Sequence, residues 1–145
     1  MARSRFILAL LAATALAAAE PLVIIVNLES GVAQMTRAEV TNIFMGRQKR
    51  LTSNLAALPV EWVESEEERN RFYLLLVNLP LSQVRAHWAR LFFSGQAQPP
   101  RQAQSVDEVL DLVAANKGAV GFVPRSRVTR KVKVVLSLGD GNEAP

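Results

Sequence analysis

The chain has 145 residues, of which 50% are hydrophobic, and a formal net charge of +4. This length predicts a single domain that is large enough to bury a hydrophobic core. The absence of cysteine excludes disulfide bonds, thiolate metal ligands and cysteine nucleophiles.

The first nineteen residues have the three parts of a secretory signal peptide. Arg3 and Arg5 give a positive start, residues 6–18 are an uncharged apolar run, and residues 17–19 are the small alanines that precede a cleavage site. The run is much shorter than the roughly 20 residues of a membrane-spanning helix. We therefore expect cleavage after Ala19, a periplasmic location and no membrane span in the mature protein. The alternative is an uncleaved N-terminal anchor.

The basic character of the chain is weaker once this segment is removed. Loss of Arg3 and Arg5 leaves 15 Lys and Arg residues against 13 Asp and Glu residues. The remaining basic clusters, at 47–50 and 125–133, are not interleaved with aromatic residues as a base-stacking surface requires. We therefore expect no nucleic-acid partner and interpret the clusters as solvated loops.

The first half of the mature chain is predicted to alternate strands with helices. Residues 22–26 are a continuous apolar and β-branched run, which is typical of a strand buried on both faces. Capping residues and apolar residues at helical spacing then mark two helices. In chain order we predict a strand at 22–26, a helix from a capping box of Thr36 and Glu39 to Gly46, a loop at 47–54, a strand at 59–63 and a helix at 64–78 with a buried stripe of Phe72, Leu75 and Leu76.

The second half continues the alternation. In chain order we predict a helix from Pro80 through Val84, Trp88, Leu91 and Phe92, an extended connection at Pro99 and Pro100, a helix that begins at a capping box of Ser105 and Glu108 and ends with Gly118 as a left-handed cap, and strands at 119–123 and 132–136. We assign residues 20–138 to one α/β domain, whose small mixed or mostly parallel sheet is flanked by helices. Residues 139–145 are predicted to be a disordered tail.

Patterns for catalysis, metal binding and phosphate cradling are absent from the sequence. His87 is the only histidine, and we interpret it as a core or interface residue with one hydrogen bond because no nucleophile accompanies it. Glu64, Glu66, Glu67 and Glu68 fan around a helix axis, so they cannot converge on one cation. We therefore predict no enzymatic activity, no catalytic residue, no metal site and no cofactor.

Two turns that follow predicted strands are candidate ligand sites. Ligands of open α/β sheets bind beyond the carboxyl ends of strands, where helix N-termini present free N–H groups. The first turn contains Ser30 and Gly31, and the second contains Ser65 with Arg69 one turn further on. Hydroxyl, backbone N–H and guanidinium groups suit a small oxyanion. We predict these four residues as ligand-binding, with turn formation or helix capping as the alternative role of each serine.

Five stretches of the mature chain carry a resemblance to a known family. They are MTRAEVTNIFMG at 35–46, RNRF at 69–72, SQVRAHWARLFFSG at 82–95, PP at 99–100 and GAVGFVP at 118–124. In this order and spacing they resemble the small periplasmic phosphate ABC transporter substrate-binding proteins over nearly the whole mature chain. The resemblance implies a domain like that of the type II periplasmic-binding proteins.

The resemblance also implies a function. A member would bind phosphate or another small anion and deliver it to a membrane transporter or sensor. The family uses a Gly-Ser-Gly-Thr-Arg type of loop at a helix N-terminus, and the matching residues 65–69 read Ser-Glu-Glu-Glu-Arg. The three carboxylates would repel a phosphate dianion. The alternative is a ligand-free protein that keeps the fold and presents an apolar face around His87, Trp88 and Phe92 to a membrane sensor, transporter or porin.

Overall fold

The computed structural model describes residues 20–139. Within this range the elements are β1 (Leu22–Asn27), α1 (Arg37–Phe44), β2 (Leu58–Trp62), α2 (Glu66–Val77), α3 (Leu81–Phe93), β3 (Arg101–Ala103), α4 (Val106–Ala115), β4 (Ala119–Pro124), a 3-10 turn (Arg125–Arg127) and β5 (Val132–Leu138). The predicted signal peptide and residues 140–145 of the predicted tail lie outside the described residues. The domain limits therefore stay predictions.

The strands form one mixed sheet in the order β3-β2-β4-β1-β5. Strand β2 runs parallel to β3 and β4, whereas β1 is antiparallel to both of its neighbours, β4 and β5. The carboxyl end of β1 therefore lies at the edge of the sheet where the other four strands begin. This arrangement confirms the predicted α/β fold with a mixed sheet flanked by helices.

Helices cover both faces of the sheet. The contacts described below are aliphatic on one face and aromatic on the other. On one face α4 packs closely on β4, since a Cβ at Gly121 would lie 2.8 Å from Val109 Cγ1. The next residue, Phe122, points to the opposite face and stacks on Phe72 of α2 with ring centroids 3.7 Å apart. Residues 20–139 thus carry a hydrophobic core of their own, as an independent domain does. Among them, no helix has the length and apolar character needed to cross a membrane.

The predicted helix caps are present, although one differs in detail. Thr36 Oγ1 accepts a hydrogen bond from Glu39 N–H, and the Glu39 carboxylate accepts one from Thr36 N–H, so this capping box is complete. Ser105 Oγ accepts from Glu108 N–H in the same way. The Glu108 carboxylate, however, accepts from Gln104 N–H, one residue before the cap.

Two helix stripes differ from the predictions. Helix α2 buries Phe72, Tyr73 and Leu76, whereas Leu75 is only partly buried. Helix α3 buries Leu81, Val84 and Trp88, whereas Phe92 is 59% exposed. In addition, β3 was not predicted, because its Arg-Gln-Ala sequence has no strand pattern and the strand is defined by pairing with β2.

Gly118 is not the left-handed cap that the sequence predicted. Helix α4 is followed by an extended Asn116, and Gly118 does not have a positive φ. A Cβ at Gly118 would lie 1.9 Å from the carbonyl oxygen of Ala56. Glycine is required there because the backbone that enters β4 passes directly against the backbone that enters β2.

We expect Gly118→Ala to lower the free energy of unfolding by about 3 kcal/mol, because the added methyl group would meet backbone that cannot rotate away. The matched control is Gly95→Ala, which has no neighbour within 4 Å but has a φ of +69°. Its backbone strain alone should cost about 1 kcal/mol. Urea unfolding of both variants measures the difference, and equal losses would contradict this explanation.

Candidate functional site

A charged cluster lies between β2 and α2. Glu61 is in β2 and is only 3% exposed. Its carboxylate forms an ion pair with Arg69 Nη2 and accepts a hydrogen bond from the Tyr73 hydroxyl group. Both partners belong to α2. The carboxylate is therefore buried together with a cation and a neutral donor.

The spacing of the sequence produces this cluster. Arg69 and Tyr73 are four residues apart, so they lie on the same face of α2. Glu61 is the one charged residue of β2 and has buried Val60 and Trp62 on either side. A buried carboxylate without partners would cost several kcal/mol. An acidic residue inside an apolar strand was therefore a signal in the sequence that a buried partner exists.

The environment of Tyr73 keeps its hydroxyl group protonated. Burial raises the pKa of Tyr73 well above its ordinary value of 10.0, and the charge of Glu61 raises the pKa further. Tyr73 therefore remains a hydrogen-bond donor to Glu61 at neutral pH.

A small cavity of about 160 Å³ opens beside the cluster. It lies among β2, α2, α3 and the chain around the start of β3. The lining residues are Glu61, Arg69, Val84, Arg85, Trp88, Pro99, Pro100 and Gln102. The cavity is smaller than the roughly 300–1,000 Å³ of sites for drug-sized molecules. Its size therefore fits a small ion.

Two buried N–H groups of the cavity-lining residues have no hydrogen-bond partner within residues 20–139. They are Arg69 Nε and Trp88 Nε1. The Trp88 residue is 8% exposed, and the Arg69 side chain is 15% exposed. A buried donor without an acceptor costs about 1–3 kcal/mol, and such groups are uncommon in folded proteins. Oxygen atoms of an anion would supply the missing acceptors.

The structure separates the four predicted ligand-binding residues into two pairs. Ser30 and Gly31 follow the carboxyl end of β1, whereas Ser65 and Arg69 follow the carboxyl end of β2. Because β1 runs antiparallel to β4 and β2 runs parallel to it, these two ends lie at opposite edges of the sheet. The four residues do not line one cavity, and a ligand-binding role for each stays a prediction.

The contacts of Ser30, Gly31 and Ser65 are those of turns and caps. Ser30 is fully buried, and its Oγ accepts from Val32 N–H at 3.2 Å. Gly31 has a φ of +74°, which few other residues adopt. Ser65 Oγ caps α2 by accepting from Glu68 N–H at 3.2 Å. Both serine oxygens therefore already have a local hydrogen bond.

His87 has the structural role that its position predicted. Its Nε2 lies 2.8 Å from the carbonyl oxygen of Met45, which connects α3 to the end of α1. The ring also packs edge-on against Trp88, with centroids 5.8 Å apart. Within residues 20–139 no group of three or more His, Cys, Asp or Glu residues could hold a metal ion.

Comparison with known proteins identifies relatives of the fold. No protein-family model matches the chain, and no curated protein matches it. Among solved structures, an ABC-type phosphate transport receptor from Vibrio cholerae has a TM-score of 0.63 at 21% identity over 80% of this chain. A protein from Clostridium perfringens with bound phosphate has a TM-score of 0.62 at 14% identity over 80% of this chain. A possible phosphate binding protein from Planctomyces limnophilus has a TM-score of 0.59 at 14% identity over 87% of this chain.

The chain shares its fold with phosphate ABC transporter substrate-binding proteins. It matches 45%, 44% and 44% of the length of the three structures, respectively, and so spans less than half of each. At these identities the similarity establishes the fold alone. The names of the neighbours describe receptors and binding proteins, not enzymes.

The titration of Tyr73 tests the buried cluster directly, because Tyr73 is the only tyrosine of the chain. The titration can be followed by the ultraviolet absorbance of tyrosinate. In the native protein Tyr73 should titrate well above pH 10, and in the urea-denatured chain Tyr73 should titrate near its ordinary value of 10.0. Since the pKa is raised in the folded state, the unfolded chain loses the proton first. The free energy of unfolding should therefore fall as the pH rises above about 10.

The matched variant is Tyr73→Phe, which keeps the ring and removes the hydroxyl group. At neutral pH it should lose about 2 kcal/mol of stability, the contribution of a hydrogen bond to a charged group. It should also lack the part of the alkaline destabilisation that Tyr73 causes. Native titration of Tyr73 near its ordinary pKa would contradict burial against Glu61.

Proposed function

We propose that this chain is a periplasmic solute-binding module that binds phosphate, or another small oxyanion, in the cavity beside Glu61 and Arg69. The observation that supports it most is the pair of buried donors without acceptors, Arg69 Nε and Trp88 Nε1, on residues that line a cavity of ion size. The phosphate receptors that share the fold support the same class of ligand. The predicted signal peptide supports the periplasmic location.

The charges around the cavity favour an anion. Arg69 and Arg85 contribute two positive charges, Glu61 contributes one negative charge, and the other lining residues are neutral. Arg85 also pairs with Glu66 at 3.1 Å, but the two side chains are 52% and 72% exposed. Such exposed pairs contribute little, so Arg85 can turn to a ligand at small cost.

Glu61 serves to position Arg69. The ion pair uses Nη2 of the guanidinium group, which leaves Nε free to donate to a ligand. A guanidinium group that is fixed before binding loses less conformational entropy when the ligand arrives. The cavity therefore combines a fixed cation with a fixed indole donor.

The module would deliver its anion to a membrane transporter or sensor, as the predicted family role implies. No enzymatic step is needed for this role.

One observation favours the alternative function, a ligand-free interaction protein. Phe92 and Phe93 at the end of α3 are 59% and 86% exposed, which is unusual for adjacent aromatic residues. The two functions differ in their need for an anion. Calorimetry with phosphate therefore distinguishes them.

The proposed site can be tested by isothermal titration of residues 20–145 with phosphate. We expect one site, and we expect Arg85→Gln to weaken binding by about tenfold or more, because a charged hydrogen bond contributes about 1.5–3 kcal/mol. Trp88→Phe should also weaken binding, since it removes Nε1 and keeps an aromatic ring. Arg69 is a poor choice for this test, because its loss would leave the Glu61 carboxylate buried without a cation.

The matched control for Arg85→Gln is Arg130→Gln. Arg130 is an exposed cation just before β5, whose first residue pairs with Asn27 at the opposite edge of the sheet. Its substitution should leave the affinity unchanged. Absence of heat at millimolar phosphate would refute the proposal, and equal losses in the two variants would place the anion elsewhere.

The carboxylate of Glu61 should also select among anions. Near neutral pH, phosphate keeps a proton that it can donate to a carboxylate, whereas sulfate has none. An anion oxygen without a proton would repel Glu61 in this partly dehydrated cavity. We therefore expect sulfate to bind at least tenfold more weakly than phosphate in the same titration. Equal affinities would show that Glu61 does not face the ligand.

A further inference from the structure

An aromatic and basic surface lies at the end of α3. The rings of Phe92 and Phe93 pack edge to face with centroids 5.9 Å apart. Lys49 lies beside them, because its Nζ donates to the Gln96 carbonyl oxygen at 3.4 Å and it lines the same open cavity of about 510 Å³ as Phe92. We call Arg90, Phe92, Phe93 and residues 47–50 the α3 tip.

The packing of the domain does not explain the aromatic residues of the tip. The buried stripe of α3 consists of Leu81, Val84 and Trp88 and ends one turn before Phe92. Phe93 is the most exposed of the large hydrophobic residues in the described range, at 86%. Two adjacent aromatic side chains in water, with no role in the core, indicate a surface that contacts something else.

The charge of the tip is uniformly positive. Arg47, Lys49 and Arg50 are exposed, and Arg90 is exposed in the last turn of α3. Lys49 and Arg50 donate to backbone carbonyl groups, and none of these four cations forms an ion pair with a carboxylate of residues 20–139. Segments 40–60 and 86–106, to which the residues of the tip belong, contain no Asp or Glu.

We propose that the α3 tip docks on a lipid bilayer with anionic headgroups. Phe92 and Phe93 enter the boundary between headgroups and acyl chains, while Arg47, Lys49, Arg50 and Arg90 contact the lipid phosphates. Apolar insertion and attraction to the anionic surface come from the same patch, so both contributions act together. Phe92 and Phe93 do not line the Glu61 cavity, and the docking is independent of anion binding there.

Charge decides among the possible occupants of this surface. A second copy of the chain would bring the four cations of one tip against the four cations of another, which is unfavourable. An anionic bilayer complements all of them at once. It also accepts protruding aromatic side chains without a matching pocket, which a folded acidic protein would have to supply.

The test uses residues 20–145, so that the apolar segment 6–18 does not itself bind lipid. In sedimentation with vesicles, we expect binding to phosphatidylcholine mixed with phosphatidylglycerol, weaker binding to phosphatidylcholine alone and release by salt. Phe93→Ala should reduce partitioning about tenfold and Lys49→Gln about fivefold. The controls are Leu28→Ala, a leucine that is 55% exposed, and Arg130→Gln, an exposed cation. Leu28 follows β1 and Arg130 precedes β5, and β4 separates both strands from β2, so both substitutions should be without effect.

A second measurement avoids substitutions that remove the apolar surface. Phe93→Trp places a fluorophore at the tip, and its emission should shift to the blue when anionic vesicles are added. Leu28→Trp should show no shift. No binding to anionic vesicles at low ionic strength would overturn the proposal, and that outcome is also expected if the tip docks on an acidic protein. Equal shifts in the two variants would overturn it as well.

Discussion

The buried carboxylate of Glu61 determines how β2 and α2 lie against each other. A charge that is 3% exposed must keep its cation and its donor, and both come from one face of α2. That requirement fixes the rotation of the helix about its axis. With Tyr73 turned to Glu61, the preceding residue Phe72 is placed for stacking on Phe122 of β4. The aromatic layer of the core and the polar cluster are therefore consequences of the same helix orientation.

The same cluster also lines the neighbouring cavity. The ion pair neutralises much of the charge of Arg69, so the cavity does not present two free arginines. Its lining residues include two with a buried N–H group that has no acceptor, Arg69 and Trp88, and one carboxylate that accepts a hydrogen bond, Glu61. In the proposed function, this combination would suit a small anion that still has a proton. The start of α2 offers fewer groups for an anion than the sequence suggested. Ser65 Oγ already accepts a hydrogen bond from Glu68 N–H, and the exposed carboxylates of Glu66 and Glu67 lie in the first turn.

Much of the fold could be predicted because its signals are local. The apolar run of β1, the capping box of Thr36 and the α4 stripe each depend on residues within a few positions of one another. Features set by distant backbone could not be predicted in this way. The sequence around Gly118 resembles a helix cap. Glycine is needed there, however, because the Ala56 carbonyl group, sixty-two positions earlier in the chain, leaves no room for a Cβ. Likewise, residues 101–103 form strand β3 because their backbone pairs with the backbone of β2.

The candidate site was predicted only in part, and the reason is physical. Ser30 and Ser65 have the same local pattern, a serine in the turn after a strand, but strand direction places them at opposite edges of the sheet. Their oxygens also already accept backbone hydrogen bonds, whereas Arg69 Nε and Trp88 Nε1 have no acceptor within the described chain. What marks a binding group is hydrogen-bonding capacity that the fold leaves unused. That property belongs to the packed molecule. The sequence could therefore name Arg69, and the acidic Glu61 in an apolar strand signalled a buried partner, but the sequence had no means of placing Trp88 and Arg85 beside them.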